Sequence, residues 1–131
     1  MLRNLAVFSL SIAVALSAFA NSANYPAISR DELKQAIAAG SVTLIDVNGS
    51  ESYAEGHLPG AIDFAVSADK LATLLPADKN TLIVAYCGGP RCQAYRQGAD
   101  AAARLGYRNI RHYADGISGW KQAGERIDVK G

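Results

Sequence analysis

The apolar residues beyond position 28 follow two kinds of pattern. Short runs rich in β-branched residues predict buried strands, and stripes of leucine or alanine at helical spacing predict helices between them. The predicted strands span residues 42–47, 61–64, 81–86 and 109–113. The run at 81–86, Thr-Leu-Ile-Val-Ala-Tyr, is nearly all apolar, as a strand covered by helices on both faces requires. We therefore expect this strand to lie in the centre of the sheet.

Helix boundary residues stand between these strands at the expected places. Ser29 and Glu32 have the spacing of a capping box, so a helix is expected to begin after Ser29 and to end at Gly40. The other predicted helices are a short one near 51–54, one that Ser67 opens and Pro76 ends, and two at 93–105 and 117–123. Strands that alternate with helices indicate one α/β domain, with a mostly parallel central sheet and helices on both faces. We assign it to residues 29–131.

The first 20 residues differ in composition from the rest of the chain. Arg3 is followed by an apolar stretch at 5–16 and a small-x-small sequence that ends at Ala20. This pattern is typical of a secretory signal peptide, and the stretch is shorter than the about 20 residues that span a bilayer. We expect cleavage after Ala20, or as second choice after Ala23, and a periplasmic or secreted mature protein without a membrane anchor.

Charge and cysteine content narrow the classes of function. The chain of 131 residues has a formal net charge of +1, and without Arg3 its 12 basic residues balance its 12 acidic ones. A domain that binds nucleic acid through a basic surface is therefore not expected. A mature chain of about 110 residues can form a core without a metal or several disulfides. Ahead of the domain, residues 21–28 are expected to form a polar, loosely ordered leader.

Cys87 lies where parallel sheets bind ligands, at the carboxyl end of the predicted central strand. A turn with two glycines and a proline follows, and then a helix begins. Backbone N–H groups of such a turn and the positive end of a helix stabilise an anion, so the pKa of an accessible Cys87 thiol should lie below its free value of about 8.5. Arg91 and Arg96 add positive charge that attracts an anionic substrate. The alternative is an ordinary buried core cysteine.

Several segments resemble the signatures of the rhodanese domain. The stretch at 46–61, Asp-Val-Asn-Gly-Ser-Glu-Ser-Tyr-Ala-Glu-Gly-His-Leu-Pro-Gly-Ala, is similar to the first signature. Tyr86-Cys87 with the turn and helix that follow resembles the active-site loop. Residues 105–107 and 115–124, the latter Asp-Gly-Ile-Ser-Gly-Trp-Lys-Gln-Ala-Gly, resemble the C-terminal signature. The motifs occur in the order found in the family and cover nearly all of residues 28–125.

The resemblance implies a parallel sheet flanked by helices and a sulfurtransferase that carries sulfur as a persulfide on Cys87. The residues whose backbone N–H groups would surround the outer sulfur are Gly88, Gly89, Arg91 and Cys92. Sulfane sulfur would move from a small anion such as thiosulfate to a thiol or to cyanide. With the positive charge of the arginines taken into account, the expected substrate-binding residues are Gly88, Gly89, Arg91 and Arg96. No cofactor and no metal is expected. No protein partner is indicated.

Two residues depart from the family pattern. Asn48 stands where family members commonly carry an arginine, and Cys92 stands where the loop often has a serine or an arginine. The resulting spacing resembles a subgroup with a Cys-Gly-x-Pro-x-Cys loop, whose substrate does not follow from the family name. Cys92 leaves three functions open: sulfur transfer by Cys87, a dithiol redox or persulfide-reducing reaction in which Cys92 attacks the Cys87 persulfide, and a non-catalytic binding module with a permanent disulfide. The tight turn allows the Cα separation of about 4.4 to 6.8 Å that a disulfide needs.

Other residues with functional groups are expected to be structural. Phosphatases of a related fold use a Cys-x5-Arg loop, which Gln93 does not fit. His57 is expected to make a structural hydrogen bond in its turn, and Trp120 is expected to anchor the core. His112 is on the last strand and can approach the loop, but no cluster of metal ligands accompanies it. Asp115 is expected either to cap the last helix, which is the favoured position, or to lie at the rim of the pocket.

Overall fold

The computed structural model describes residues 24–130 of the chain. Within these residues the sheet has four strands: β1 (Val42–Asp46), β2 (Ile62–Asp63), β3 (Leu82–Tyr86) and β4 (Ile110–His112). Neighbouring strands run parallel, in the order β2-β1-β3-β4. Because β3 pairs with both β1 and β4, the apolar run at 81–86 is confirmed as an interior strand. The predicted signal peptide, residues 1–20, lies outside the described residues.

Helices cover both faces of this sheet, so the fold is the expected single α/β domain. The helices found in residues 24–130 are α1 (Arg30–Ala38), α2 (Ser50–Glu55), α3 (Phe64–Ser67), α4 (Leu71–Leu74), α5 (Tyr95–Arg104) and α6 (Gly116–Gln122), with a 3-10 turn at Ala68–Lys70. Residues of α5 pack on one face of the sheet, and residues of α1 and α6 pack on the other. No helix in this part of the chain is long and apolar enough to cross a lipid bilayer.

Successive residues of β3 point into two separate apolar cores. Ile83 and Ala85 lie in a core with residues of α5, and Cys87 extends that core. Val84 and Tyr86 lie in the other core with residues of α1 and α6. Because side chains alternate across a strand, the residue after Tyr86 returns to the α5 face. Because the side chains of β3 alternate between its two faces, Cys87 lies at the edge of the core beside α5.

Helix α5 approaches the sheet through small residues. Gly98, Ala99 and Ala102 are all buried, as their helical spacing predicts. A Cβ atom placed on Gly98 would lie 2.8 Å from Cγ2 of Ile45 and 3.0 Å from Cγ2 of Val47. The close contact between α5 and β1 therefore depends on glycine at this position.

Of the two hydrogen bonds of the predicted capping box, the structure shows one at the N-terminus of α1. The Ser29 hydroxyl oxygen accepts a hydrogen bond from the Glu32 N–H at 3.2 Å. The Glu32 carboxylate does not return to the cap; it accepts two hydrogen bonds from the Arg111 guanidinium of β4. This contact holds the pKa of the Glu32 carboxyl below its usual range. The ion pair thus links the start of α1 to the last strand.

The third predicted helix begins earlier than the sequence pattern indicated. The helix was expected to open at Ser67, but α3 begins at Phe64 because the Asp63 carboxylate accepts the Ala65 N–H at 3.1 Å and caps it. Ser67 is therefore buried in the last turn of α3. The leucine stripe is also interrupted, since Leu74 is 43% exposed. The prediction for this boundary is wrong because Asp63, at the end of β2, caps a helix that begins before Ser67 is reached.

The segment before α1 is part of the folded domain. The Ile28 N–H donates to the His112 carbonyl at 2.9 Å, and the His112 N–H donates to the Pro26 carbonyl at 3.0 Å. These bonds add the segment as a short parallel bridge to the free edge of β4. Tyr25 and Ile28 are buried, and burial raises the pKa of Tyr25 to about 12. The expectation of a loose leader is therefore wrong for residues 24–28.

Substitution of Gly98 tests the close contact between α5 and the sheet. Alanine is favoured over glycine inside a helix by about 1 kcal/mol, but its Cβ atom would press on the side chains of Ile45 and Val47, and overpacking costs about 1–3 kcal/mol. We expect Gly98→Ala to lower the free energy of unfolding in urea by about 1 kcal/mol. The exposed neighbour Gln97 gives the control, since Gln97→Ala should change it by less than about 0.5 kcal/mol. A Gly98→Ala protein as stable as wild type would contradict the contact.

Candidate active site at the Cys87 loop

The Cys87 loop, defined here as residues 87–94, joins β3 to α5. Backbone hydrogen bonds hold the residues before it between β1 and the segment after β4. The Tyr86 carbonyl accepts the Val47 N–H at 3.0 Å, and the Ala85 carbonyl accepts the Tyr113 N–H at 3.1 Å. The loop therefore starts from a fixed point at the carboxyl edge of the sheet, where parallel sheets bind ligands.

Cys87 and Cys92 form a disulfide bond within the loop, with their Cα atoms 6.2 Å apart. The Cys92 N–H donates to the Gly89 carbonyl at 3.0 Å and closes the turn between them. Cys87 is 3% exposed and belongs to the core beside α5, whereas Cys92 is partly exposed. The structure thus brings together the two cysteines singled out from the sequence. The expectation of an exposed Cys87 is wrong for this disulfide-bonded form.

The N-terminus of α6 is bound directly to the loop. The N–H groups of Ile117 and Ser118 donate to the carbonyls of Cys87 and Gly88, each at 3.0 Å. Gly116 permits this approach, because its φ is +59° and a Cβ atom there would lie 2.4 Å from the Cys87 carbonyl oxygen. Both the backbone conformation and the lack of space require glycine at position 116.

The loop also presents backbone N–H groups that have no acceptor. Among the described residues, the N–H groups of Gly88, Gly89 and Arg91 form no hydrogen bond, and Pro90 has no N–H. The Cys92 N–H was expected among the sulfur-binding donors, but the Gly89 carbonyl accepts it instead. Three of the four expected donors are therefore available to stabilise a negatively charged sulfur at the end of β3.

The two arginines near the loop have different surroundings. Arg91 is exposed and directly precedes Cys92. The Arg96 guanidinium lies 5.5 Å from the centre of the Tyr95 ring, and Tyr95 stacks on His112 with ring centroids 4.3 Å apart. Arg96 Nε also donates to Gln93 Oε1 at 3.2 Å, so its charge is held next to the end of the loop. Contact of either arginine with a substrate stays a prediction.

A buried polar network lies beneath the loop, on the other face of β3. The Tyr86 hydroxyl donates to Asp46 Oδ2 at 2.6 Å and accepts the Leu58 N–H at 3.0 Å. Asp46 Oδ1 accepts the Asn48 N–H at 2.8 Å. Burial raises the pKa of Asp46, and burial together with the Asp46 charge raises the pKa of Tyr86. These bonds fix the ends of β1 and β3 and the turn at Leu58 relative to one another.

Asn48 brings a side-chain amide to the loop. Its Oδ1 lies 3.7 Å from the position that a Cβ atom would take on Gly88. Its Nδ2 is buried and has no hydrogen-bond partner. The residue that departs from the family pattern is thus a neighbour of the loop. The sequence pattern did not place Asn48 in the site; its departure from the family arginine was the one available signal.

A cavity of about 470 Å³ opens beside the loop. Pro90 lines it on the loop side, and Ser118 and Gly119 line it on the α6 side, with Arg30 and Asp115 as its charged groups. Asp115 thus takes the second of its two expected positions, at the rim of the pocket. The favoured expectation, that it caps α6, is wrong, because its side chain makes no capping hydrogen bond and the loop carbonyls accept N–H groups of that helix. A larger cavity of about 770 Å³ is lined by residues outside the Cys87 loop.

The remaining candidates have structural contacts, as their sequence context predicted. His57 Nδ1 donates to the Tyr53 carbonyl at 2.6 Å, and the two rings stack with centroids 3.6 Å apart. Trp120 is buried, and its Nε1 donates to the Arg126 carbonyl at 2.8 Å. His112 Nδ1 is bound to a backbone carbonyl of the segment before α1. Within residues 24–130, no group of three or more His, Cys, Asp or Glu residues is arranged to hold a metal ion.

Comparison with known proteins identifies the family of the domain that contains the Cys87 loop. The family model of the rhodanese-like domain matches residues 29–123. The chain therefore belongs to the rhodanese-like domain family. An HTH-type transcriptional regulator of Mycobacterium tuberculosis is 41% identical over 104 residues, which are 78% of this chain and 44% of the regulator. The human thiosulfate:glutathione sulfurtransferase is 31% identical over 111 residues, which are 75% of this chain and 95% of that protein.

Solved structures have the same fold. A human single-domain sulfurtransferase aligns with a TM-score of 0.60 and 26% identity, covering 76% of this chain and 97% of that one. The rhodanese-like domain of an Anabaena protein aligns with a TM-score of 0.64 and 21% identity, covering 82% of this chain and 81% of that one. The family resemblance expected from the sequence signatures is thus confirmed, and so is the parallel α/β fold that it implies.

Gly116 and Gly124 offer a matched pair of variants for the contact between α6 and the loop. Both have positive φ angles, +59° and +72°, but a Cβ atom on Gly124 would meet nothing within 4 Å. Gly124→Ala should lose about 1 kcal/mol of stability from the backbone conformation alone. Gly116→Ala should lose about 2 kcal/mol more through its clash with the loop, and dithiothreitol should reduce its disulfide faster. Equal losses in urea unfolding would show that the contact is not tight.

Proposed function

We propose that this domain is a sulfurtransferase in which Cys87 carries sulfur as a persulfide. The observation that supports the proposal most is the set of backbone N–H groups without acceptors directly after Cys87. In a rhodanese-like domain, a cysteine at the carboxyl end of an interior strand followed by such donors is suited to hold a negatively charged sulfur. Arg91, exposed on the outer side of the loop, attracts an anionic sulfur donor.

The proposed reaction starts from the reduced loop. The Cys87 thiolate attacks the outer sulfur of thiosulfate, the bond between the two thiosulfate sulfurs breaks, and sulfite leaves with that electron pair. The product is a Cys87 persulfide. A thiolate acceptor then attacks the outer sulfur, becomes a persulfide itself, and returns Cys87 as a thiolate. The human relative is named for thiosulfate and glutathione, and we propose the same classes of donor and acceptor for this chain.

The disulfide supports a second reaction of the Cys87 persulfide, its attack by Cys92. With their Cα atoms 6.2 Å apart, the two cysteines bond within the folded loop. A Cys92 thiolate that attacks the inner sulfur of the Cys87 persulfide breaks the bond to the outer sulfur, forms the Cys87–Cys92 disulfide and releases hydrosulfide. We therefore propose that Cys92 competes with an external acceptor, so that the domain reduces sulfane sulfur to sulfide when no acceptor is present.

Mass measurement on the reduced protein tests both roles. Wild type, Cys87→Ser and Cys92→Ser are reduced, freed of reductant and mixed with thiosulfate. Cys92→Ser should gain one sulfur atom and hold it, because no internal thiol attacks its persulfide. Wild type should release sulfide and finish two hydrogens lighter, as the disulfide. Cys87→Ser should gain no sulfur, while its circular dichroism spectrum should match that of wild type.

The alternatives give different patterns in the same experiment. Sulfur uptake by Cys87→Ser would contradict the role of Cys87. Equal persulfide lifetimes in wild type and Cys92→Ser would contradict the role of Cys92 and leave sulfur transfer by Cys87. A disulfide that withstands reduction in the folded protein, with no uptake by Cys92→Ser, would instead identify a non-catalytic module with a structural cross-link.

We also propose that the protein works outside the cytoplasm, on the basis of the signal-like composition of residues 1–20. An oxidising compartment maintains disulfides such as Cys87–Cys92. Cell fractionation followed by mass measurement should find a chain without residues 1–20 in the periplasmic or secreted fraction. A full-length chain in the cytosol would contradict export.

A further inference from the structure

The two cysteines of the disulfide differ in solvent exposure. Cys87 is 3% exposed, lies in the core beside α5, and has its carbonyl bound by the Ile117 N–H. Cys92 is partly exposed and follows the exposed residues Pro90 and Arg91 on the outer side of the turn. The rate at which a thiolate attacks a disulfide depends on access to the sulfur that it attacks. Access therefore favours Cys92 as the attacked residue.

The surroundings of Cys87 favour it as the leaving group. The N–H groups of Gly88 and Gly89 have no acceptor among the described residues in the disulfide form. A thiolate released at Cys87 would give these donors a negatively charged partner. The Cys92 N–H, in contrast, is already bound to the Gly89 carbonyl. A better stabilised thiolate leaves faster. The free N–H groups beside Cys87 therefore favour attack at Cys92, as does the greater exposure of Cys92.

The positive charge near the turn favours a reductant thiol that carries negative charge. Arg91 directly precedes Cys92 and is exposed, and the chain carries no acidic residue from position 87 to position 99. Asp115 also lies beside the loop, but it lines the cavity with Pro90 and residues of α6, and Cys92 does not line that cavity. A thiol that carries negative charge is therefore attracted to the Cys92 side of the loop.

We propose that reduction of the disulfide begins at Cys92, through a mixed disulfide between Cys92 and a small anionic thiol. The reductant's thiolate bonds to the Cys92 sulfur, the Cys87–Cys92 bond breaks, and its electron pair leaves with Cys87 as a thiolate. A second reductant thiolate attacks the reductant sulfur of the mixed disulfide, frees Cys92 and forms the reductant's own disulfide. The inference deepens the proposed function and rests on it, since it makes Cys92 the residue through which a reductant prepares Cys87 to accept sulfur.

The chain itself allows the first adduct to be located. Trypsin cleaves after Lys79, Arg91 and Arg96, so Cys87 and Cys92 fall into separate peptides, 80–91 and 92–96. Wild-type disulfide protein is mixed with a smaller amount of glutathione, which leaves little thiol for the second step. Samples are quenched with acid at short times, alkylated and digested. Mass spectrometry should find glutathione on peptide 92–96 and the alkyl group on peptide 80–91.

The opposite distribution, or an equal one, would overturn the proposal. The experiment contains no sulfur donor, so its result is independent of whether thiosulfate forms a persulfide on Cys87. Failure of this inference and failure of the proposed function are therefore distinguishable. A Cys87 that fails to take up sulfur while glutathione still enters at Cys92 would contradict the function alone.

Reduction rates of charge variants give a second measurement. At low salt, Arg91→Gln should be reduced by glutathione several-fold more slowly than wild type, but at the same rate by the uncharged thiol 2-mercaptoethanol. High salt should remove the difference, because it screens exposed charges. Arg108→Gln is the matched control, since Arg108 is exposed but precedes β4 at the amino edge of the sheet. Equal glutathione rates for Arg91→Gln, Arg108→Gln and wild type would contradict attack beside Arg91.

Discussion

The contact between the N-terminus of α6 and the Cys87 loop is the constraint on which the site depends. The carbonyls of Cys87 and Gly88 accept N–H groups of α6. A trans peptide places its carbonyl and its N–H on opposite sides, so these two contacts turn the N–H groups of Gly88 and Gly89 away from α6. A helix end without a side-chain cap thus sets the direction of the donors in the proposed sulfur site. Gly116 is the residue that lets the two backbones come this close.

Polar groups are concentrated below the same edge of the sheet, where they hold β1 and β3 at the cost of burying a carboxyl group. Asp46 is fully buried, and its two oxygens accept hydrogen bonds from Tyr86 and from the Asn48 backbone. The hydrogen bonds of this network thus fix the backbone where β3 ends and the Cys87 loop begins.

The sequence pattern was sufficient for the parts of the fold that local chemistry determines. The β-branched runs, the Ser29 cap and the turn after Cys87 are each specified by neighbouring residues, so their positions could be predicted. Contacts between residues that lie far apart in the sequence could not be predicted in this way. Glu32 binds Arg111, far along the chain, instead of completing its own cap. The segment before α1 is ordered by the free edge of β4, and the burial of Cys87 follows from the packing of α5, neither of which a local pattern contains.

Trp120 lies in α6, close after the N–H groups that bind the loop carbonyls, and it is the single tryptophan of the chain. Its ring meets Tyr113 edge to face at 5.9 Å, and its Nε1 is bound to the Arg126 carbonyl. A change in the loop that shifts α6 therefore alters the surroundings of one indole ring. Trp120 is therefore an intrinsic fluorophore on the helix that binds the loop, and we expect its emission to change when reduction of the disulfide shifts α6.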